Sequence, residues 1–336
     1  MATSEKLVMP ENIRKQLIKK HYAIVGNHSA IQICSWTKKA IKGQGVCYKE
    51  QFYGIDCHKC AQISPAAVWC PNNCIYCWRP MEFMKYKDMT PEMVDPPDKI
   101  IEGLVEARKR LLSGLHAHKN LDPNRWPEAL DPNHFAISLS GEPTMYPRLD
   151  EMIHLLRKRK GMKSIFIVTN GQFPEALEKL MKNDALPTQL YLSMNAPDKE
   201  LFHKINNPVL PDAWERFHKT LELMSKMKTR RVIRITLIKG YNDKEEHIPG
   251  YAEQIRKSNA DFIEVKAYMY LGYSMRRLSA ENMPKHEEVK AFGYKLAKYL
   301  GYEYVDEAIR SRIVLYRNPK SVYPLKITSV VAQPIE

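Results

Sequence analysis

The residues most able to do chemistry crowd into one short stretch. All seven cysteines lie between Cys34 and Cys77, and the remainder of the 336 residues has none. The tightest grouping is Cys70-Pro71-Asn72-Asn73-Cys74-Ile75-Tyr76-Cys77. Three thiolates on so short a loop can hold three corners of a cubane iron–sulfur cluster, leaving the fourth iron open to a chelating small molecule. The competing reading is zinc, which wants four ligands and could draw on Cys57, Cys60 or His58. Cys34, Cys47 and Cys60 form a second, evenly spaced set with Cys57 beside it. Four further thiols point to a second cluster, again with zinc as the alternative. An odd count in so crowded a stretch does not suit a disulfide scaffold.

These residues need a frame. Hydrophobic residues make up 44% of the chain, enough for a sizeable core and too many for wholesale disorder. From residue 63 on, strand-like and helix-like patterns alternate. Strands are expected at Ser64–Cys70, His134–Leu139, Lys163–Thr169, Gln189–Asn195, Arg231–Leu237 and Asp261–Tyr268. Helices are expected at Asp98–His118, Arg148–Lys160, Pro174–Asn183, Lys199–Ile205, Ala213–Lys228, His247–Ser258 and Pro284–Leu300. Strands separated by helices imply parallel pairing with right-handed crossovers. Six are too few to close an eight-stranded barrel, so the expected α/β architecture is an open, partial (β/α)6 barrel. Tyr302–Val305 and Arg312–Tyr316 predict two further short strands. The expected division is an N-terminal cysteine-rich extension over 1–62, the barrel over 63–300, and C-terminal strands and tail over 301–336.

The Cys-x3-Cys-x2-Cys loop resembles that of the radical S-adenosylmethionine superfamily. The resemblance implies that Cys70, Cys74 and Cys77 ligate a [4Fe-4S] cluster, and that Tyr76 packs by the adenine of S-adenosyl-L-methionine. Ser140-Gly141-Glu142-Pro143-Thr144 is similar to the Gly-Gly-Glu motif that contacts the methionine amino group, with Ser140 in place of the first Gly. Thr169-Asn170-Gly171 and Ser193-Met194-Asn195 close the third and fourth strands. They resemble the ribose and carboxylate contacts, with Thr169, Asn170, Ser193 and Asn195 as the candidate residues. Each tripeptide alone is also an ordinary turn. In order at successive strand ends they reinforce one another.

With the N-terminal cysteines added, the pattern resembles the archaeal-type tRNA 4-demethylwyosine synthases, a lyase family of the wyosine pathway. That resemblance implies that Cys34, Cys47 and Cys60 ligate a second [4Fe-4S] cluster, with Cys57 left over. It implies that Lys49 forms a Schiff base with pyruvate, the co-substrate. The implied reaction joins N1-methylguanosine at position 37 of tRNA(Phe) to carbons of pyruvate, giving tricyclic 4-demethylwyosine. No flavodoxin-like segment is recognised, so an external one-electron donor is expected.

The partner surface is the least determined part. Lys and Arg number 52 against 38 Asp and Glu, a formal net charge of +14. This suits a polyanion such as tRNA, or simply a well-solvated basic surface. Tyr268, Tyr270, Tyr273, Arg276 and Arg277 follow the last barrel strand and are the candidate nucleic-acid contacts, since loop bases stack on aromatics and Arg. Arg230-Arg231 with Arg234 is another basic run. Arg108–Arg110 reads as a solvated helix face, and Trp78 as packing. The apolar runs are strand-length and the first twenty residues polar, so no membrane span and a cytoplasmic monomer are expected. Two alternatives stay open: a radical enzyme acting on a peptide or small metabolite, and a zinc-stabilised RNA-binding module.

Overall fold

The computed structural model of the chain describes residues 5–84, 86–116 and 120–334. Their strands form one ten-stranded sheet: β1 (Tyr22–Val25), β2 (Ser29–Gln32), β3 (Cys60–Ser64), β4 (His134–Ile137), β5 (Ser164–Thr169), β6 (Gln189–Ser193), β7 (Arg230–Leu237), β8 (Phe262–Ala267), β9 (Glu303–Ala308) and β10 (Ile313–Arg317). The spatial order is β1-β2-β3-β4-β5-β6-β7-β8-β10-β9. β3 through β8 pair in parallel, each with its successor. These are the six strands of a partial barrel. β1 and β2 extend one edge as an antiparallel hairpin, and β10 and β9 extend the other.

Each sheet face has its own core. On the outer face, Ile63, Ile137, Ile165, Ile167, Leu190, Ile233 and Val265 pack under the crossover helices, for example Ile100, Leu104 and Ala107 of Pro97–Ser113. On the inner face, Ala136, Phe166, Tyr191, Val232 and Phe262 pack with Phe52, Tyr53 and Ile55 of the N-terminal segment and with Ile313 and Leu315 of β10. The period-2 alternation of a strand separates the two sets. The inner face changes along its length. Near the C-terminal strand ends, Val168, Ser193, Arg234, Thr236 and Lys266 are only half-buried, although their strand neighbours are buried. They line an accessible chamber above an apolar floor.

The tail seals that floor. The Arg230 guanidinium donates to the carbonyls of Pro324 and Leu325 and stands over the rings of Tyr53 and Phe262. Ile327 N–H donates to the Tyr53 carbonyl at 2.9 Å.

Most expected elements match to within two residues at their shared ends. The first strand does not. It is Cys60–Ser64, and Ser64–Cys70 is mainly loop. Ala66, Ala67, Val68 and Trp69 are buried against Leu7, Met9, Ile13 and Leu17. A short buried apolar run looks the same in a loop as in a strand when only the sequence is read. The boundary expected near residue 62 therefore falls inside a strand, and the N-terminal hairpin continues the barrel sheet. The long helix ends at Ser113, and residues 117–119 of its expected C-terminal end lie outside the described residues. Among the described residues no helix is long and apolar enough to cross a membrane.

Candidate active site

Six of the seven cysteines fall into two sets of three. Cys70, Cys74 and Cys77 share the loop after β3. Burial disfavours the thiolate forms, aided at Cys70 and Cys74 by the neighbouring thiols and opposed at Cys77 by Arg79 and Arg277, and Cys74 is pushed up to about 12. The Asn170 side-chain amide donates to Cys70 Sγ at 3.6 Å, and Cys74 Sγ lies 3.8 Å from Asn206 Oδ1. The second triad is assembled from separate segments. Cys34 precedes the helix Ser35–Ile41, Cys47 precedes the helix Tyr48–Tyr53, and Cys60 opens β3. Burial first, and then Cys34, pushes Cys47 up to about 12; burial pushes Cys60 to about 11.

The fourth N-terminal thiol stands apart. Cys57 Sγ accepts from Cys47 N–H at 3.3 Å, and burial together with the Glu50 carboxylate keeps it a thiol. His58, the other candidate zinc ligand, has Nε2 2.7 Å from Glu128 Oε2. Among the described residues no three His, Cys, Asp or Glu side chains converge closely enough to hold a single metal ion. Three thiol donors on the short loop Cys70–Cys77 suit the corners of a cubane cluster.

The strand-end motifs meet around one carboxylate. Glu142 Oε1 accepts from Thr144 Oγ1 at 2.5 Å and Thr169 Oγ1 at 2.7 Å, and Oε2 accepts from Asn170 N–H at 2.8 Å. Burial raises its pKa against these bonds. Thr144 and Thr169 are buried, so they shape the loops from behind; Asn170 and Ser193 keep surface on the chamber. The Asn195 side-chain amide donates to Tyr76 Oη at 2.6 Å and fixes the aromatic of the cysteine loop. Gly141 has φ +71°, and a Cβ there would lie 1.9 Å from the Ala66 carbonyl oxygen, so only glycine fits. Ser140 is tolerated because its hydroxyl donates to the Ala67 carbonyl at 2.6 Å.

Lys49 lies beside the N-terminal triad, within the electrostatic reach of Cys60 and Cys47. In the helix Tyr48–Tyr53 the buried positions are Lys49, Phe52 and Tyr53, the i, i+3, i+4 face. Lys49 Nζ is 4.4 Å from the Phe166 ring centre and 4.7 Å from that of Tyr191. Burial lowers its pKa, opposed by Cys60 and Glu264.

Several functional positions are not apparent from sequence patterns. Arg108 is buried, and it donates to the carbonyls of Cys60, His58 and Ala129, each at 2.7 Å. It is thus no solvated face but a clamp on the Cys60 segment. Arg79 is buried between the triads, feels both Cys77 and Cys34, and donates to Gln32 Oε1 at 3.0 Å. The basic run at residue 230 turns inward: Arg230 grips the tail, Arg231 pairs with Asp261, and Arg234 enters the chamber.

The expected nucleic-acid contacts divide. Tyr268 is buried against Ile205 and Ile238, with Oη 3.0 Å from Ser274 Oγ, and cannot stack on a base. Arg277 is committed inward to the carbonyls of Ile75 and Cys77 and to Glu82. Tyr270 is half-buried within the same cluster as Tyr268. Tyr273 remains available, with the exposed Arg276 guanidinium 4.8 Å and Lys20 Nζ 5.9 Å from its ring centre. Trp78, read as packing, is 43% exposed beside them and stacks on Arg79. Gly272 brings this loop onto the Trp78 carbonyl, where a Cβ would clash.

The chain is similar to known proteins over most of its length. The model of the Radical SAM superfamily matches residues 65–249, and that of Wyosine base formation matches residues 257–318. A curated S-adenosyl-L-methionine-dependent tRNA 4-demethylwyosine synthase of Pyrococcus abyssi is 45% identical over 309 residues, 91% of this chain and 89% of that protein. A solved structure of TYW1 with a lysine-pyruvate adduct bound is 35% identical with a TM-score of 0.81, covering 93% of this chain and 97% of that one. A crystal structure of archaeal TYW1 is 32% identical with a TM-score of 0.75, covering 95% and 100%.

Proposed function

The chain belongs to the family of S-adenosyl-L-methionine-dependent tRNA 4-demethylwyosine synthases, and from that premise we propose how its residues divide the work. It is a radical enzyme of wyosine tRNA modification that uses S-adenosyl-L-methionine and a [4Fe-4S] cluster. The finer reading is that it joins N1-methylguanosine at position 37 of tRNA(Phe) to carbons of pyruvate, with a second [4Fe-4S] cluster and an external one-electron donor. It works as a cytoplasmic monomer.

Cys70, Cys74 and Cys77 hold the first cluster, and Cys34, Cys47 and Cys60 hold the second. When bound, the first cluster and S-adenosyl-L-methionine supply one-electron cleavage of the sulfonium, which starts hydrogen abstraction. Asn170 and Ser193 line the cofactor's side of the chamber, and Glu142 keeps the motif loops in register. Tyr76 is held by Asn195 to pack against the adenine. On the other side, the Lys49 amine attacks the ketone carbon of pyruvate, and water leaves as the Schiff base forms. The Phe166 and Tyr191 rings keep bulk water from that carbon. At the rim, Tyr273 with Arg276 and Lys20 offers a ring and two cations to the anticodon loop. This rim favours tRNA over a peptide substrate.

The observation that carries this reading is a buried lysine set against two rings and beside the N-terminal cysteines. Borohydride reduction of the cluster-loaded enzyme with labelled pyruvate is expected to mark Lys49, read by peptide mass mapping. Label on Lys266 would move the amine to another strand, and no label would remove the Schiff base from the mechanism.

A further inference from the structure

Among the described residues three cationic side chains reach the chamber: Lys49, Arg234 of β7 and Lys266 of β8. The carboxylate among them is Glu264, which faces Arg234 across the β7–β8 pairing. Glu264 does not neutralise Arg234 by contact. Its Oε1 accepts from Tyr53 Oη at 2.8 Å, and its Oε2 has no hydrogen-bond partner among the described residues. Burial also pushes Glu264 toward its neutral acid.

The arginines of this region differ in what they have left to give. Arg108, Arg230, Arg231 and Arg277 are committed to carbonyls or carboxylates. Arg234 lies beside Tyr48 and keeps accessible surface on the chamber. A guanidinium has five N–H donors, so most of its capacity is open. It also lies close to the reactive amine. Arg234 Cζ is 5.4 Å from the Tyr191 ring centre, and Lys49 Nζ is 4.7 Å from the same ring. Lys266 is the diagonal neighbour of Arg234 on the same inner face, with one donor spent on the Ser311 carbonyl at 2.8 Å.

We propose that Arg234, seconded by Lys266, anchors the carboxylate of the α-keto acid co-substrate while Lys49 takes its ketone. This deepens the reading above and rests on Lys49 as the capturing amine. The chemistry fits. A planar guanidinium fork matches a carboxylate, and in an α-keto acid the carboxylate is bonded directly to the ketone carbon. The arrangement makes the site selective for α-keto acids over neutral ketones, which could reach the amine but would leave the cations unmatched.

The test is adduct formation on the cluster-loaded enzyme, read by mass spectrometry after borohydride reduction. Two probes are titrated: pyruvate, and hydroxyacetone as a ketone without a carboxylate. In Arg234→Gln the half-saturating pyruvate concentration is expected to rise about tenfold or more, with hydroxyacetone trapping unchanged. Arg234→Lys should recover part of the loss, and Lys266→Gln should show a smaller shift of the same sign. An unshifted pyruvate curve in Arg234→Gln, or equal weakening of both probes, would overturn the anchor. If Arg234→Gln does not fold, the wild-type enzyme still decides. Propionate should protect Lys49 from hydroxyacetone, and no protection would refute the proposal. Absence of any pyruvate adduct in the wild type would instead sink the lysine reading, and the anchor with it.

Discussion

The two cysteine triads look alike in chemistry and differ in construction. The barrel triad occupies eight consecutive residues, from Cys70 to Cys77. The N-terminal triad joins three segments, two of which begin short helices while the third begins β3. The first is held by its own loop together with Glu142, Asn170 and Asn195. The second is held from outside, by Arg108 on the Cys60 carbonyl and by packing of Phe52 and Tyr53 into the barrel. A local motif needs only its neighbours. A distributed one depends on the whole fold, and damage far away reaches it.

Unequal roles for the triads predict unequal losses. The largest effect is on chemistry. Cys74→Ala should abolish reductive cleavage of S-adenosyl-L-methionine, read as 5′-deoxyadenosine by chromatography. Cys47→Ala should leave most of that cleavage and stop formation of the tricyclic base. Equal loss of both activities in both variants would collapse the distinction. Next is Arg108→Met, which leaves three buried carbonyls without their donor. It should cost about 2–4 kcal/mol in urea unfolding and lower iron content by up to one cluster, with cleavage by the barrel site retained. Iron lost evenly from both sites would contradict the clamp.

The shallowest effect is on pH. His28 is buried with Nδ1 2.6 Å from the Pro65 carbonyl, and its Nε2 accepts from Asp95 N–H at 2.8 Å. Burial lowers its pKa, opposed by the Pro65 carbonyl and the Asp95 carboxylate. Below the ordinary histidine value of about 6.5 the unfolded chain therefore takes up the proton first. Stability should fall as pH drops through that range. His28→Gln should flatten the profile, measured as melting temperature against pH, and an unchanged slope would reject the assignment.

What could be read from sequence follows the same divide. Thr169, Asn170 and Asn195 sit at strand ends, where alternation and turn residues are locally written. The barrel cysteines announce themselves by spacing. The even spacing of Cys34, Cys47 and Cys60 already suggests a second cluster, but which thiols ligate it, and the part of Lys49, come only from resemblance, because these residues sit on separate segments. Arg108 and Arg234 were read as surface charge. Their burial is set by strands and helices distant in sequence, and a basic run looks the same whether it faces water or a carbonyl. Tyr268 failed for the opposite reason: the loop it opens folds back over it.

The stoppered floor has a consequence for traffic. With the tail packed beneath Tyr53 and Phe262, that end of the barrel is stopped, and both guests are left to meet at the rim. A small acid and a large polynucleotide cannot use one doorway in either order with equal ease. Once the larger guest stands in it, the smaller one is either already indoors or shut out.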